Sequence, residues 1–264
     1  MSADDKWALI TGASSGIGKA LAHAFAARDY NLLLVARNDL SLRQVTADCG
    51  AQFQVATEAY PADLSDLRAV DALIGRLSAA GRRFEILVNN AGFGVQGEFR
   101  STTLERELEL LNLQLATMLK LTKALLPGMV SRGSGRILNV ASLYSFAPVP
   151  YQSVYAASKA FLMSFSVALA EELRGTGVTV TALCPGVTQT EFRARAGIGE
   201  RSRGAGATAA SVAETAARRT LKGDLLVVPG AVVNRFFVFM SRHLPVAVVP
   251  RLMRLINKRR GVNE

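Results

Sequence analysis

Short apolar segments alternate with longer amphipathic segments along most of the chain. The short segments are nearly all apolar or β-branched between polar or glycine boundaries, as expected of strands buried on both faces of a parallel sheet. They predict seven strands: Trp7–Thr11, Asn31–Ala36, Gln54–Ala59, Glu85–Asn89, Arg136–Ala141, Val178–Cys184 and Leu225–Val228. The amphipathic segments predict helices at about 16–29, 39–48, 65–80, 103–131, 153–174 and 211–222.

This alternation predicts an α/β fold, a single doubly wound Rossmann-type domain with a seven-stranded parallel sheet and helices on both faces. The length of 264 residues suits one such domain, and no repeat or Gly/Ser linker divides the chain. We expect residues 1–230 to form this domain, with a lid loop at about 189–210 where periodicity is weak. Residues 231–264 form a basic, apolar C-terminal extension.

Composition argues against several classes of protein. Cys49 and Cys184 lack the spacing of a zinc site or a disulfide framework, so we expect no metal and a reducing, cytoplasmic compartment. The N-terminus carries acids where a signal peptide would carry bases, and no uninterrupted apolar run reaches the about 18 residues of a membrane span. Of the net charge of +10, seven bases and one acid after residue 230 contribute +6. A nucleic-acid partner is therefore not expected.

A glycine-rich turn follows the first predicted strand. It comprises Gly12, Ser14, Ser15, Gly16, Ile17 and Gly18. Glycines permit a tight turn and a close approach of backbone N–H groups to a phosphate, and the following helix N-terminus adds partial positive charge. This strand–turn–helix context indicates a pyrophosphate site, the alternative being an ordinary flexible loop.

The end of the second strand bears on the type of nucleotide. A Rossmann site that prefers NAD usually places an acid there, whereas an arginine accommodates the 2′-phosphate of NADP. Here the strand ends in Arg37, no carboxylate occurs before Asp39, and Ser14 can donate to the same phosphate. The sequence predicts NADP(H) as the cofactor, the alternative being a solvated surface arginine.

The motifs together resemble the short-chain dehydrogenase/reductase family over about residues 6–230. The glycine turn resembles its cofactor loop, Asn89-Asn90-Ala91-Gly92 its NNAG motif, and Pro185-Gly186-Val-Thr188-Gln-Thr190 its PGxxxT segment. The resemblance implies further cofactor contacts from Asp63, Leu64, Asn90, Ala91, Gly92, Tyr155, Lys159, Pro185, Gly186, Thr188 and Thr190. Thr188 stands where many members carry an aliphatic residue.

The resemblance also implies a catalytic set of Asn112, Ser142, Tyr155 and Lys159. Tyr155 and Lys159 have i, i+4 spacing, which places them on one helix face. A nearby ammonium stabilises a phenolate, so Tyr155 would serve as the general acid/base and Lys159 would lower its pKa. By resemblance, Lys159 also holds the nicotinamide ribose and Asn112 holds Lys159 through water. The alternatives are a chance i, i+4 spacing for Tyr155 and Lys159, a serine that only caps the strand end for Ser142, and a structural hydrogen bond for the Asn112 amide.

These observations predict an NADPH-dependent oxidoreductase that interconverts a carbonyl and a secondary alcohol by hydride transfer. The alternatives are a non-catalytic NADP-binding sensor or scaffold on the same fold and, less compatible with the length, an epimerase or dehydratase. Residues near the catalytic motifs suggest a hydrophobic small-molecule substrate. They are Phe93, Tyr144, Phe146, Tyr151 and Phe192. Arginines in the lid would instead suit an acidic substrate such as an acyl carrier or a CoA thioester, or would be solvated.

The C-terminal extension interleaves apolar clusters with bases. This composition is typical of a segment that lies on an anionic membrane, so peripheral membrane contact is one prediction. The alternative is a cap that packs on the domain or on a partner subunit. The family resemblance implies a homo-oligomer, a dimer or tetramer that pairs through the helices predicted at 103–131 and 153–174.

Overall fold

A computed structural model describes residues 6–190 and 206–259. Its main sheet has seven strands, all parallel: β1 (Lys6–Thr11), β2 (Asn31–Ala36), β3 (Thr57–Pro61), β4 (Arg83–Asn89), β5 (Gly135–Val140), β6 (Val178–Leu183) and β9 (Leu226–Val227). The strand order is β3-β2-β1-β4-β5-β6-β9. A separate parallel pair joins β7 (Thr188–Gln189) to β8 (Ala207–Thr208). The predicted doubly wound fold is confirmed.

Helices connect the strands and cover the sheet. They are α1 (Gly16–Ala26), α2 (Asp39–Phe53), α3 (Leu67–Ala79), α4 (Leu104–Leu111), α5 (Thr117–Ser131), α6 (Ser153–Glu172), α7 (Ala209–Lys222), α8 (Val232–His243) and α9 (Val248–Arg259). A π-helical turn (Asn112–Ala116) joins α4 to α5, and a 3₁₀ turn (Leu143–Phe146) follows β5.

Alternating strand residues supply the two cores. Ile10 and Leu34 point to the face that packs against α1, α2 and α7, whereas Leu9 and Leu33 point to the face covered by α3, α5 and α6. Strands buried on both faces need apolar residues at every position, which explains their nearly continuous apolar sequence. Helix α6 is long and apolar enough to cross a membrane by length and composition, a test that buried core helices also pass.

Two predicted boundaries were wrong. The third strand begins at Thr57 rather than Gln54, because α2 continues past Gly50 and ends where Gln54 adopts a left-handed conformation (φ 57°). The helix predicted over 103–131 is interrupted by the π turn at Asn112. Hydrophobic periodicity does not reveal such a turn, because a single inserted residue shifts the helix face without breaking the helix.

A chain of buried amide and hydroxyl groups connects the sheet to α6. The Asn89 side-chain amide donates to Asn139 Oδ1 at 2.8 Å, and Asn139 Nδ2 donates to Ser166 Oγ at 2.8 Å. Ser166 in turn donates to the Leu162 carbonyl at 2.6 Å. Buried polar groups of this kind fix register because a shifted partner would leave them unpaired. The chain therefore sets the position of α6 relative to β4 and β5.

We expect Asn139→Leu to lower the free energy of unfolding by about 1–3 kcal/mol, because it leaves the Asn89 amide with a weaker partner in the core. Equilibrium urea unfolding would measure this loss. A variant that also carries Asn89→Leu and Ser166→Ala removes the stranded groups and should recover part of the stability. If the triple variant instead lost as much free energy of unfolding as the three single substitutions added together, the three side chains would not be coupled.

Candidate active site

A hydrogen-bonded clamp fastens the end of β1 to the end of β4. Thr11 Oγ1 accepts the backbone N–H groups of Asn90 and Ala91, both at 3.0 Å, and donates to the Val88 carbonyl. The Asn90 side-chain amide donates to the Thr11 carbonyl at 2.9 Å and to the Gly12 carbonyl at 3.2 Å. The NNAG segment is thus bonded directly to the start of the glycine turn.

The glycine turn is too crowded for side chains at its key positions. Gly12 has φ of 66°, and a Cβ there would lie 2.8 Å from the Asn90 side-chain nitrogen. A Cβ on Gly18 would overlap the Gly12 carbonyl, so the first turn of α1 packs directly on the loop. The Thr190 methyl lies against Gly16. This bare backbone at a helix N-terminus fits a pyrophosphate.

Arg37 lies at the carboxyl end of β2 between two carboxylates. Its Nη1 is 3.4 Å from Asp63 Oδ2 and 3.6 Å from Glu109 Oε1, and the side chain is about half exposed. Burial would raise the pKa of Asp63, but hydrogen bonds from Ser65 and the Arg37 charge outweigh it and hold that pKa below its ordinary value. Glu109 was not identified from the sequence, since nothing in a helical glutamate reveals a partner so distant along the chain.

The segment after β3 is anchored from the other side of the site. The Leu64 carbonyl accepts from Thr117 Oγ1 at 2.6 Å, and Leu64 itself is buried. Gly92 lies against the buried side chain of Gln114, whose Nε2 donates to the Phe93 carbonyl at 3.0 Å. Leu64 and Gly92 thus follow the carboxyl ends of β3 and β4, at the same edge of the parallel sheet as the glycine turn after β1.

Ser142, Tyr155 and Lys159 converge beyond the carboxyl end of β5. The hydroxyls of Ser142 and Tyr155 are hydrogen bonded to each other. Lys159 Nζ lies 5.6 Å from the centre of the Tyr155 ring and donates to the Val140 carbonyl at 2.9 Å. Ser145 donates to the Lys159 carbonyl, which ties the 3₁₀ turn to α6. The structure therefore brings three of the four predicted catalytic residues together.

Burial controls the protonation of this cluster. It raises the pKa of Tyr155 above its ordinary value, and the hydrogen bond to Ser142 offsets only part of the increase. Burial also lowers the pKa of Lys159 to about 7. Both shifts favour neutral groups, as desolvation does for any charge removed from water. In the free protein, burial therefore favours the phenol form of Tyr155, and Lys159 is not among the groups that shift its pKa.

Asn112, the fourth predicted catalytic residue, begins the π turn and is partly buried. Its side chain does not line the small cavity of about 10 Å³ beside Lys159. That cavity is bordered instead by Gln114 and Asn89, whose side-chain oxygens are buried and accept no hydrogen bond among the described residues. Gln114, which borders this cavity beside Lys159, was not predicted from the sequence, although a glutamine on an apolar helix face was a usable signal.

The predicted substrate residues lie in different places. The Tyr144 ring meets the Tyr155 ring edge-on at 6.3 Å, and Phe93 is buried in the same core cluster. Phe146 lines an open groove of about 550 Å³ that neither Ser142 nor Tyr155 lines. Tyr151 turns toward α9, where its hydroxyl accepts from Arg254 at 3.2 Å. Phe192 and most of the predicted lid, with its arginines, fall outside the described residues.

The Pro-Gly segment closes the remaining side of the site. The Pro185 carbonyl accepts from Leu143 N at 3.0 Å, Gly186 lies against Asn234 of α8, and Thr188 donates to the Gly186 carbonyl. Cys184, just before this segment, is fully buried, and burial raises its pKa to about 12. A thiol of that pKa is not a nucleophile near neutral pH.

Comparison with known proteins places the chain among related sequences. The family model for short chain dehydrogenases matches residues 6–200. The chain is 37% identical over 188 residues to the ketoacyl reductase HetN of a Nostoc strain, a match covering 70% of this chain and 64% of that protein. It is also 37% identical over 178 residues to a very-long-chain 3-oxoacyl-CoA reductase of Phaeosphaeria nodorum, covering 66% of this chain and 52% of that protein.

The chain thus spans about half to two thirds of the length of these two relatives. Among solved structures, a short-chain dehydrogenase from Sphingobium yanoikuyae in complex with NADPH superposes with a TM-score of 0.82 at 34% identity. That superposition covers 90% of this chain and 93% of the other. The family match runs from β1 past the Pro-Gly segment and includes the glycine turn, Ser142, Tyr155 and Lys159; this chain belongs to the short-chain dehydrogenase family.

Proposed function

We propose that the chain is an NADPH-dependent oxidoreductase that interconverts a carbonyl and a secondary alcohol, with Tyr155 as the general acid/base. The observation that carries this proposal is the hydrogen-bonded Ser142–Tyr155 pair beside buried Lys159, at the same sheet edge as the glycine turn. Open α/β sheets bind ligands at this edge. The reductases and the NADPH complex among its relatives support the same assignment.

The proposed mechanism begins with a protonated phenol. Because burial keeps Tyr155 neutral, its hydroxyl is ready to donate a proton to a carbonyl oxygen that is being reduced. Ser142 shares a hydrogen bond with that hydroxyl and orients the same substrate oxygen. The bound nicotinamide supplies the hydride, so the protein needs no covalent nucleophile. Once the proton has left, a protonated Lys159 stabilises the phenolate through its charge.

The preference for NADP over NAD is proposed from Arg37. Its ion pairs with Asp63 and Glu109 are long and partly exposed, and such pairs contribute little stability. The guanidinium can therefore exchange them for the stronger, bidentate bonds of a phosphate dianion. Asp63 and Glu109 hold the side chain at the strand end in the meantime, which limits the entropy lost on binding.

For the substrate we propose an apolar carbonyl or alcohol. The Tyr144 ring beside Tyr155 and the buried ring of Phe93 support this. The names of two relatives, a ketoacyl reductase and a 3-oxoacyl-CoA reductase, make β-ketoacyl thioesters the first substrates to assay.

Assembly and location follow as further parts of the proposal. Exposed Val130 on α5 and exposed Phe161 and Val167 on α6 support a homodimer or tetramer through these helices. The two cysteines are buried and unpaired, which suits a reducing, cytoplasmic compartment. We assign the chemistry to residues 1–230, with residues 231–264 as an extension.

Tyr155→Phe should lower kcat by about 1,000-fold, because it removes the proton donor and leaves the ring in place. Steady-state assays that follow NADPH absorbance with β-ketoacyl thioesters and ketones would measure the loss. Tyr144→Phe is the matched control and should keep kcat within about threefold, since its ring contact survives. Substantial turnover by Tyr155→Phe would exclude Tyr155 as the acid.

Arg37→Ala should raise KM for NADPH by about 10- to 100-fold and leave KM for NADH nearly unchanged, because only NADPH carries the 2′-phosphate. Arg43→Ala removes an exposed arginine that pairs with Asp39 on α2, and it should change neither value. Equal losses with both cofactors in Arg37→Ala would mean that Arg37 supports the fold rather than the phosphate.

Lys159 should make the unliganded protein less stable at low pH. The unfolded chain keeps this lysine charged up to its ordinary pKa of 10.5, whereas the folded chain releases the proton near pH 7. The burial penalty is therefore fully present below pH 7 and disappears as the pH rises toward 10.5. The protonated form of Lys159 that the proposed mechanism uses is therefore the form that burial destabilises.

Lys159→Met should accordingly raise the midpoint temperature of unfolding by about 5 °C near pH 6, with the gain shrinking toward pH 10. Differential scanning calorimetry across this pH range would show the convergence. Lys123→Met, at an exposed position on α5, should show no such pH-dependent gain. A gain that stays constant with pH would exclude the lysine charge as its cause.

A further inference from the structure

Helices α8 and α9 repeat one sequence pattern at an offset of 16 residues. Val232-Val-Asn-Arg-Phe-Phe-Val-Phe239 in α8 corresponds to Val248-Val-Pro-Arg-Leu-Met-Arg-Leu255 in α9. In both helices the first, fifth and eighth positions of the pattern are exposed apolar residues, with side chains between 41% and 79% accessible. We call these six residues the outer strip: Val232, Phe236, Phe239, Val248, Leu252 and Leu255.

The opposite faces of the two helices pack on the domain. Phe237 and Met253, which occupy the same position in the repeated pattern, join one core cluster with Ala147, Val149 and Ala156. Asn257 donates to the Pro150 carbonyl, and Asn234 donates to the Pro229 carbonyl. The inner faces therefore hold each helix in place, while spacing of i, i+4 and i+7 keeps the outer strip on the solvent side.

The charged side chains that α8 and α9 carry are all basic. Arg235 and Arg251 each precede an exposed apolar residue of the strip by one position, and Arg242 and Arg254 are exposed on the same helices. The sequence has no Asp or Glu between residues 231 and 259. An apolar strip flanked by bases alone is complementary to an anionic lipid surface, where the apolar side chains enter the acyl region and the bases contact headgroups.

A second copy of the chain fits this surface less well. A twofold dimer would place the same patch against itself. Arginines of one copy would then face arginines of the other with no Asp or Glu on α8 or α9 to pair with, and like charges at an interface are costly. The charge pattern therefore favours an anionic bilayer over self-association.

We infer that the outer strip docks the protein on the surface of an anionic membrane, with α8 and α9 lying in the interface. This extends the proposed function without resting on it, because lipid binding can be measured without turnover. The anchor is interfacial: each helix has 12 residues and one face packed on the domain.

The full chain should float with vesicles of phosphatidylcholine and phosphatidylglycerol at least about tenfold more than with phosphatidylcholine alone, and salt should reduce the difference. Phe236→Ser with Leu252→Ser should lower flotation at least about tenfold, because both substitutions remove apolar area from the outer strip. Arg235→Glu with Arg251→Glu should do the same through charge. Phe99→Ser with Leu104→Ser removes a Phe and a Leu that are more exposed than Phe236 and Leu252 but lie elsewhere, and this matched control should float as well as the unmodified protein.

Circular dichroism melting of each variant would separate lost binding from lost folding. The inference would be overturned if flotation did not depend on phosphatidylglycerol, or if the Phe99 and Leu104 control lost as much flotation as the outer-strip variant. Vesicle-free sedimentation velocity tests the other occupant of the surface. If the outer-strip variant converts a dimer to a monomer while flotation stays unchanged, a second copy covers the strip instead.

Discussion

The architecture depends on one constraint, the reversal of winding direction between β1 and β4. The chain adds β2 and β3 on one side of β1, then returns to add β4, β5, β6 and β9 on the other. Connections from the two adjacent strands therefore diverge and leave a crevice at their carboxyl ends. Thr11 holds that crevice at a fixed width by bonding the backbone of Asn90 and Ala91. The glycine turn and the NNAG segment keep their relative positions through this contact.

Several polar groups are buried in the apolar interior around the crevice, and they differ in how fully their hydrogen bonds are satisfied. The Asn89–Asn139–Ser166 chain is satisfied almost entirely and orients α6. Lys159, on the same helix, is the opposite case, since its ammonium loses water and has the Val140 carbonyl as a close partner. A structural polar network and a destabilised charge therefore lie on one helix. The polar network fixes α6 in place, so the helix cannot move away from the sheet to rehydrate Lys159.

Much of this was predictable because parallel strands and their ends obey strong local rules. Apolar runs gave the strands, and the residues after them gave the glycine turn, Arg37 and Ser142. Local rules were insufficient for the bounds of two helices and for contacts between residues far apart in the sequence. Helix α2 runs past Gly50 and ends only where Gln54 adopts a left-handed conformation, and a π turn at Asn112 interrupts the helix predicted over 103–131. Glu109 and Gln114 lie far along the chain from Arg37 and Phe93, the residues they contact, so no local spacing in the sequence predicts these contacts.

The contact between α9 and the segment around Pro150 and Tyr151 has an evolutionary consequence. That segment joins Ser142 to Tyr155, and Arg254, Asn257 and the packed face of α9 shape it from outside. Substitutions on the packed face of α9 can therefore reshape this segment without changing Ser142, Tyr155 or Lys159. Selection on the shape of this segment and selection on those three residues then act on separate stretches of the gene.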